Sequence, residues 1–178
     1  MAQGTKSRAN QTVRDLVISM GVVGLFVAFL FLIVLRPTPD PVKVVEVAGP
    51  AQVAQSAEVF EVVVPVGLPQ GWLATSARFT PGTESGTGTW FNGYLNPEDQ
   101  FVAVVQQDFD LEDFVVEQTD AGQPEGAVTI DGRTWQQYYS ESTGDRALVD
   151  TQPEVTTVVT GTVPYDQLAT FASTLQPV

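Results

Sequence analysis

Two residue types missing from this chain set the first bound on its chemistry. Its 178 residues contain neither histidine nor cysteine. That removes Ser-His-Asp and Cys-His nucleophiles, imidazole or thiolate zinc sites, ordinary haem ligation and thiol redox chemistry. Carboxylates remain, 21 of them. Acid–base catalysis by carboxylates needs two of them facing each other across a substrate at a defined separation, and acids scattered along the sequence single out no such pair. The densest group is Asp108-Phe109-Asp110-Leu111-Glu112-Asp113. Its alternating oxygens suggest a calcium loop, yet the sixth position is Asp113 rather than Gly and the twelfth is Thr119 rather than Glu. It reads instead as a strand end entering a helix, with carboxylates at the positive end of the helix dipole. No catalytic, metal-binding or cofactor-binding residue is assigned, and the chain is expected not to be an enzyme.

Recognition chemistry is better supplied. Trp72, Trp90, Trp135, Tyr94, Tyr138 and Tyr139 could line a ligand pocket, although aromatic residues in the strands of a small sheet more often pack in its core. The loop around Trp72 and the Gly/Thr/Ser-rich stretch 81–89 lie where loops on a rigid sheet carry contacts. Trp72, Arg78 and Trp90 are therefore the surface-recognition candidates. A second group suits helix packing: Gly24 and Ala28 form a small-xxx-small pair, with Ser19 and Gly21 nearby. Small side chains let helix backbones approach closely inside a bilayer.

The elements that would position these residues follow from hydropathy and turn chemistry. Residues 16–35 carry no charge, and fifteen of the twenty are Leu, Ile, Val or Phe. As a helix such a stretch spans roughly 30 Å, the thickness of a bilayer's hydrocarbon core. A transmembrane helix is expected over 16–36. The run is longer than a signal-peptide core and exits into Arg36-Pro37-Thr38-Pro39 without a small-residue cleavage pattern. Lys6, Arg8 and Arg14 precede it and Arg36 and Lys43 follow, so the amino terminus is expected in the cytoplasm and the remainder outside. Residues 1–15 are the cytoplasmic tail, polar and without expected structure over 1–12. Residues 37–57, with four prolines, read as a semi-extended stalk. Residues 58–178 are the extracytoplasmic domain. Over 37–178 the chain holds four basic and twenty acidic side chains, a field that repels nucleic acid and anionic lipid and favours cationic partners.

Within the domain, 59–64, 74–79, 89–95, 100–107, 146–149 and 155–162 read as strands, and 128–135 as two strands about a turn. Asn96-Pro97-Glu98-Asp99 and Asp131-Gly132 are hairpin turns. Val102 to Val105 lie in a segment apolar on both faces, the mark of a central strand. Leu111, Phe114, Val115 and Gln118 fall at helical spacing after an Asp110 N-cap, and 165–175 places Leu168, Phe171, Ala172 and Leu175 on one face. The expected class is α+β: an N-terminal transmembrane helix, then a mostly antiparallel sheet with two packed helices.

Several stretches carry a resemblance. They are Thr12-Val13-Arg14-Asp15, Ser19, Arg36-Pro37, Pro39-Asp40-Pro41-Val42, the run Pro65-x-Gly67-Leu68-Pro69-x-Gly71-Trp72-x-x-Thr75-Ser76-Ala77-Arg78-Phe79, Trp90-x-x-Gly93-Tyr94, and Val159-Thr160-Gly161 through Leu168, Ala169, Ala172 and Leu175. On these the chain resembles an actinobacterial family of single-pass membrane proteins of unknown function. The resemblance implies an actinobacterial plasma membrane and brings no catalytic residues. It further implies a place as an accessory subunit of the cytochrome bcc–aa3 respiratory supercomplex. The function expected is thus a non-catalytic accessory subunit whose partners are other integral membrane proteins and the lipid bilayer, with no cofactor. The alternative is a ligand-binding or sensor module of the cell envelope.

Overall fold

A computed structural model describes residues 6–34, 42–82, 88–108 and 111–178. The chain divides into two compact units, 1–41 and 42–178. Of the first, the structure describes one helix, α1 (Lys6–Val34). At ~1.5 Å per residue its 29 residues extend about 43 Å. The helix begins well ahead of the uncharged stretch, so 6–12, expected without structure, is helical. Every large apolar side chain described on α1, from Leu16 to Phe31, is between 53 % and 74 % exposed. Among the described residues no helix is long and apolar enough to cross a membrane. The uncharged run continues to residue 35, and the side chains of 30 and 32–34, with residues 35 and 36 entirely, lie outside the described set. The end of the expected span and the 37–41 part of the stalk lie there too.

The second unit contains a seven-stranded, wholly antiparallel sheet, as the period-two patterns and tight turns predict. Its strands are β2 (Leu73–Thr80), β3 (Thr89–Leu95), β4 (Phe101–Gln107), β5 (Gln123–Ile130), β6 (Arg133–Tyr139), β7 (Arg146–Thr151) and β8 (Thr156–Gly161), in the order β2-β3-β4-β8-β7-β6-β5. A short pair, β1 (Val63–Pro65) with β9 (Leu175–Pro177), stands apart from it. The β5–β6 connection is the expected Asp-Gly turn. Asp131 and Gly132 have φ of 49° and 79°, the double positive φ that matches hairpin twist.

β4, β8 and β7 occupy the middle and are buried on both faces. In one face Val104, Val159 and Leu148 lie side by side through the pairings Val104↔Val159 and Leu148↔Val159. Helix α4 (Tyr165–Ala172) packs Leu168, Phe171 and Ala172 against this face. On the opposite face Val105, Val158, Val149 and Ala147 receive Phe114 of α3 (Leu111–Gln118). Burying a side chain such as Leu168 or Phe171 contributes about 1.5–3 kcal/mol. These two contacts hold the layers together.

Three expectations need correction. The 37–57 stalk is in part a packed element: α2 (Ala48–Ser56) buries Ala51 and Ala54 beside Trp90, Phe60 and Val62. Pro50 is tolerated because it sits in the helix's first turn, where amide donors have no intrahelical acceptor. The Val45 amide donates to the Ala74 carbonyl at 2.9 Å, covering part of the edge of β2, and the compact unit starts at 42 rather than 58. Accordingly three helices among the described residues, not two, accompany the sheet. Finally, helix 165–175 ends at Ala172, and Leu175 enters β9 instead. Asp110, the expected N-cap of α3, and 83–87 of the Gly/Thr/Ser-rich stretch lie outside the described residues.

Candidate functional site

One built concavity lies where the loop before β2 and the β3–β4 turn meet along α4. It is a groove of about 330 Å³ lined by Leu68, Pro69, Trp72, Asn96, Pro97, Glu98, Asp166, Gln167, Thr170, Phe171 and Thr174. Its floor is aromatic: the Trp72 and Phe171 rings stand 5.5 Å apart at 34°, and Phe171 in turn meets the buried Tyr94 edge-on at 5.5 Å. Such tilted and edge contacts suit the ring quadrupoles.

Each wall is held by its own local chemistry. The Pro65–Trp72 loop turns at Gly67 and Gly71, with φ of 75° and 97°, a region that favours glycine. The loop is tied to the end of α4 by the Val66 amide, which donates to the Thr174 carbonyl at 2.9 Å. Gly71 has a second constraint, since a Cβ there would come 2.9 Å from Pro97 Cγ. The facing wall is the β3–β4 turn. Asn96 Oδ1 accepts from the amides of Glu98 (3.0 Å) and Gln100 (2.8 Å), while its Nδ2 donates to Gln100 Oε1 at 2.9 Å. The asparagine is buried, and this turn fixes the backbone that carries Glu98. The third wall is the outer face of α4, with Asp166 in its first turn.

The electrostatics of the groove have one sign. Glu98 and Asp166 are exposed, no basic residue lines the groove, and among the described residues neither carboxylate has an ion-pair partner. An apolar floor with an acidic rim can hold a group that is apolar on one side and cationic on the other.

A second cavity, about 300 Å³, opens beside β1 and β9 and includes Glu61, Gln106, Arg133, Trp135 and Glu154. Its polar groups are largely used by the fold. Gln106 accepts from the Val63 amide at 2.8 Å and donates to the Glu61 carbonyl and Thr157. Arg133 pairs with Asp150 at 3.1 Å, an acid only 2 % exposed that also receives Gln152 Nε2 at 2.7 Å. Trp135 Nε1 is buried without a hydrogen-bond partner. A third polar group lies around Arg146, stacked near the rings of Tyr139 (5.2 Å) and Tyr165 (5.8 Å). The single O–H of Tyr165 has two acceptors within reach, Glu125 Oε2 and the Tyr138 carbonyl, both at 2.9 Å. Desolvation and the neighbouring Glu125 push its pKa up to about 12. The Asp120 carboxylate accepts from Ser142 (2.6 Å) and Ser140 (3.1 Å), bonds that hold its pKa below the ordinary value.

The predicted recognition residues separate. Trp72 lies in the groove. Trp90 is fully buried and donates through Nε1 to the Val63 carbonyl at 3.1 Å, which docks β1. It is a core residue and cannot meet a partner at the surface. Arg78 is exposed on β2, its guanidinium 3.9 Å from the Phe91 ring centroid, and is not in the groove. Sequence reasoning missed Glu98, Asp166 and Phe171 as groove residues. The pair of glycines around Trp72 was the available signal for one wall, whereas the other two walls are distant in sequence. On α1, Ser19, Gly21, Gly24 and Ala28 are exposed. At about 100° per residue Gly21, Gly24 and Ala28 share an arc of about 60°, with Ser19 on the opposite side. Asp108, from the acidic cluster, accepts the Gly88 amide at 2.8 Å. Among the described residues no group of three acids could hold a metal ion.

The profile of one protein family, DUF4245, described as a protein of unknown function, matches residues 8–175. No curated protein matches the chain.

Proposed function

This chain belongs to the DUF4245 family, and we propose that it is a non-catalytic accessory subunit of a membrane complex, tethered by α1 with its folded unit outside the cell. The observation that carries the reading is the apolar stretch of α1. Its large side chains are exposed over 16–31, and the uncharged run in the sequence is long enough to cross a bilayer as one helix. Apolar surface of that extent is stable only against lipid or another protein. The stripe Gly21, Gly24 and Ala28 offers a face for a neighbouring transmembrane helix. Lys6, Arg8 and Arg14 ahead of the stretch favour a cytoplasmic amino terminus. The favoured complex is the actinobacterial cytochrome bcc–aa3 respiratory supercomplex, which the resemblance suggests.

The test is purification from native membranes in mild detergent with the associated proteins identified by mass spectrometry. The expected result is co-purification with larger integral membrane proteins, lost in Gly24→Leu/Ala28→Leu. A partner-free, monodisperse protein overturns the reading. Protease added to wall-stripped cells should remove the acidic unit, and its survival would overturn the orientation.

A second reading is favoured by the Trp72 groove: a binding module for a small molecule of the cell envelope. Its signature is a saturable change in tryptophan fluorescence on adding envelope extracts, abolished in Trp72→Phe.

A further inference from the structure

We infer that the Trp72 groove is the docking site for a partner polypeptide, and that it takes a segment in which a Lys or Arg stands beside a large apolar residue. The inference rests on the accessory-subunit reading and supplies it with a contact outside the membrane.

Three observations converge. The first is charge complementarity. Glu98 and Asp166 flank the groove without cationic partners among the described residues, and no basic side chain lines it. An arginine or lysine entering the groove meets an acidic rim without displacing an ion pair seen among the described residues. The wider surface agrees, since 37–178 holds twenty acids against four bases, and such a field steers basic segments inward.

The second is the floor. Trp72, Leu68 and Pro97 offer partly exposed apolar surface, backed by the buried Phe171 ring, to the neighbouring side chain or the aliphatic stem of the cation itself. A cation over the Trp72 face gains further from the ring quadrupole. The third is size and rigidity. At about 330 Å³ the groove is at the small end for a drug-sized molecule, of roughly 300–1,000 Å³, and suits one or two side chains. Its walls are already fixed by Gly67, Gly71 and Asn96, so little ordering remains for binding to oppose.

The experiment uses the full chain in its native membrane. A photo-reactive phenylalanine analogue is placed at Gln167, on the groove's rim, and in a second protein at Thr129, exposed on β5. Cross-linked products are sequenced by mass spectrometry. The expected result is a polypeptide adduct at Gln167, absent at Thr129, whose linked segment contains a Lys or Arg next to an aromatic or branched aliphatic residue. Glu98→Lys/Asp166→Lys should reduce that adduct about tenfold or more, with Glu98→Gln/Asp166→Asn intermediate. Unchanged unfolding of both variants shows that the fold is intact.

Four results would overturn the inference. A small-molecule adduct at Gln167 would make the groove a ligand pocket. Equal adduct yield from the charge-reversed protein would remove the cation. Partners that co-purify normally while nothing links at Gln167 would place the contact elsewhere and leave the accessory reading standing. If nothing co-purifies with the wild type, the accessory reading fails and the inference falls with it.

Discussion

Gly71 is the residue on which the shape of the groove is most exposed to test. Its φ of 97° costs an L-residue about 1–2 kcal/mol of backbone strain. A Cβ would also sit 2.9 Å from Pro97 Cγ and 3.4 Å from Pro97 Cβ. Pro97 can give little, because its turn is fixed by the Asn96 hydrogen bonds, and forcing a methyl into such a contact costs at least about 1 kcal/mol more. Gly71→Ala should therefore destabilise the folded unit by about 3 kcal/mol. Gly67→Ala is the internal control: its φ is 75° and nothing lies within 4 Å of a built Cβ, so it carries strain alone, about 1–2 kcal/mol. Urea unfolding of the full chain in detergent, followed by tryptophan fluorescence, reads both. A difference of about 1 kcal/mol separates the midpoints by roughly half a molar. Pro97→Ala should restore that difference in the double variant, giving a coupling of about 1 kcal/mol with Gly71→Ala. Equal losses for the two glycine variants, or no coupling to Pro97, would refute the picture of two loops braced against each other.

Three further expectations follow from the same contacts. Trp90→Phe removes the donor to the Val63 carbonyl and leaves a void at a fully buried site, so it should cost about 2–4 kcal/mol and raise amide exchange in β1. An unchanged midpoint would contradict its core role. Arg133→Ala leaves the Asp150 carboxylate buried, with Gln152 its remaining side-chain partner among the described residues, and should cost about 1–3 kcal/mol. Adding Asp150→Asn should recover part of the loss, and a further loss would argue against an uncompensated charge. Tyr165 has its folded pKa raised from 10.0 to about 12. The phenol keeps its proton longer in the folded state, so its contribution is complete below about pH 10 and fades as pH rises towards 12. Burial raises Tyr94 as well, so the test is by difference: spectroscopic titration should lose a step near pH 12 in Tyr165→Phe.

Much of the sheet was legible because its signals are local. Val102 to Val105 announce a strand covered on both faces, and Asp131-Gly132 and Asn96-Pro97-Glu98-Asp99 announce turns through backbone conformations few other residues favour. Helix α2 was hidden by its composition. Pro50 and the run of Ala and Gln gave no amphipathic period, because alanine buries by fitting closely against β2 and Trp90 rather than by offering a large apolar side chain. Trp90 was misread for a related reason: an aromatic residue in a strand carries no mark of which face it will occupy until the neighbouring strands are in place.

The sequence by itself determined what this chain cannot do by histidine or cysteine, the sign of its field, the length of its uncharged stretch and the antiparallel character of its sheet. These depend on composition and on periods of two to four residues, which each segment carries within itself. Only the tertiary structure decided that Trp72 faces a groove while Trp90 is enclosed, and that Glu98 and Asp166 share a rim with Phe171 below. Those residues are up to about a hundred positions apart. Their meeting is set by which strands pair and by where α4 lies on the sheet, and no local pattern records either.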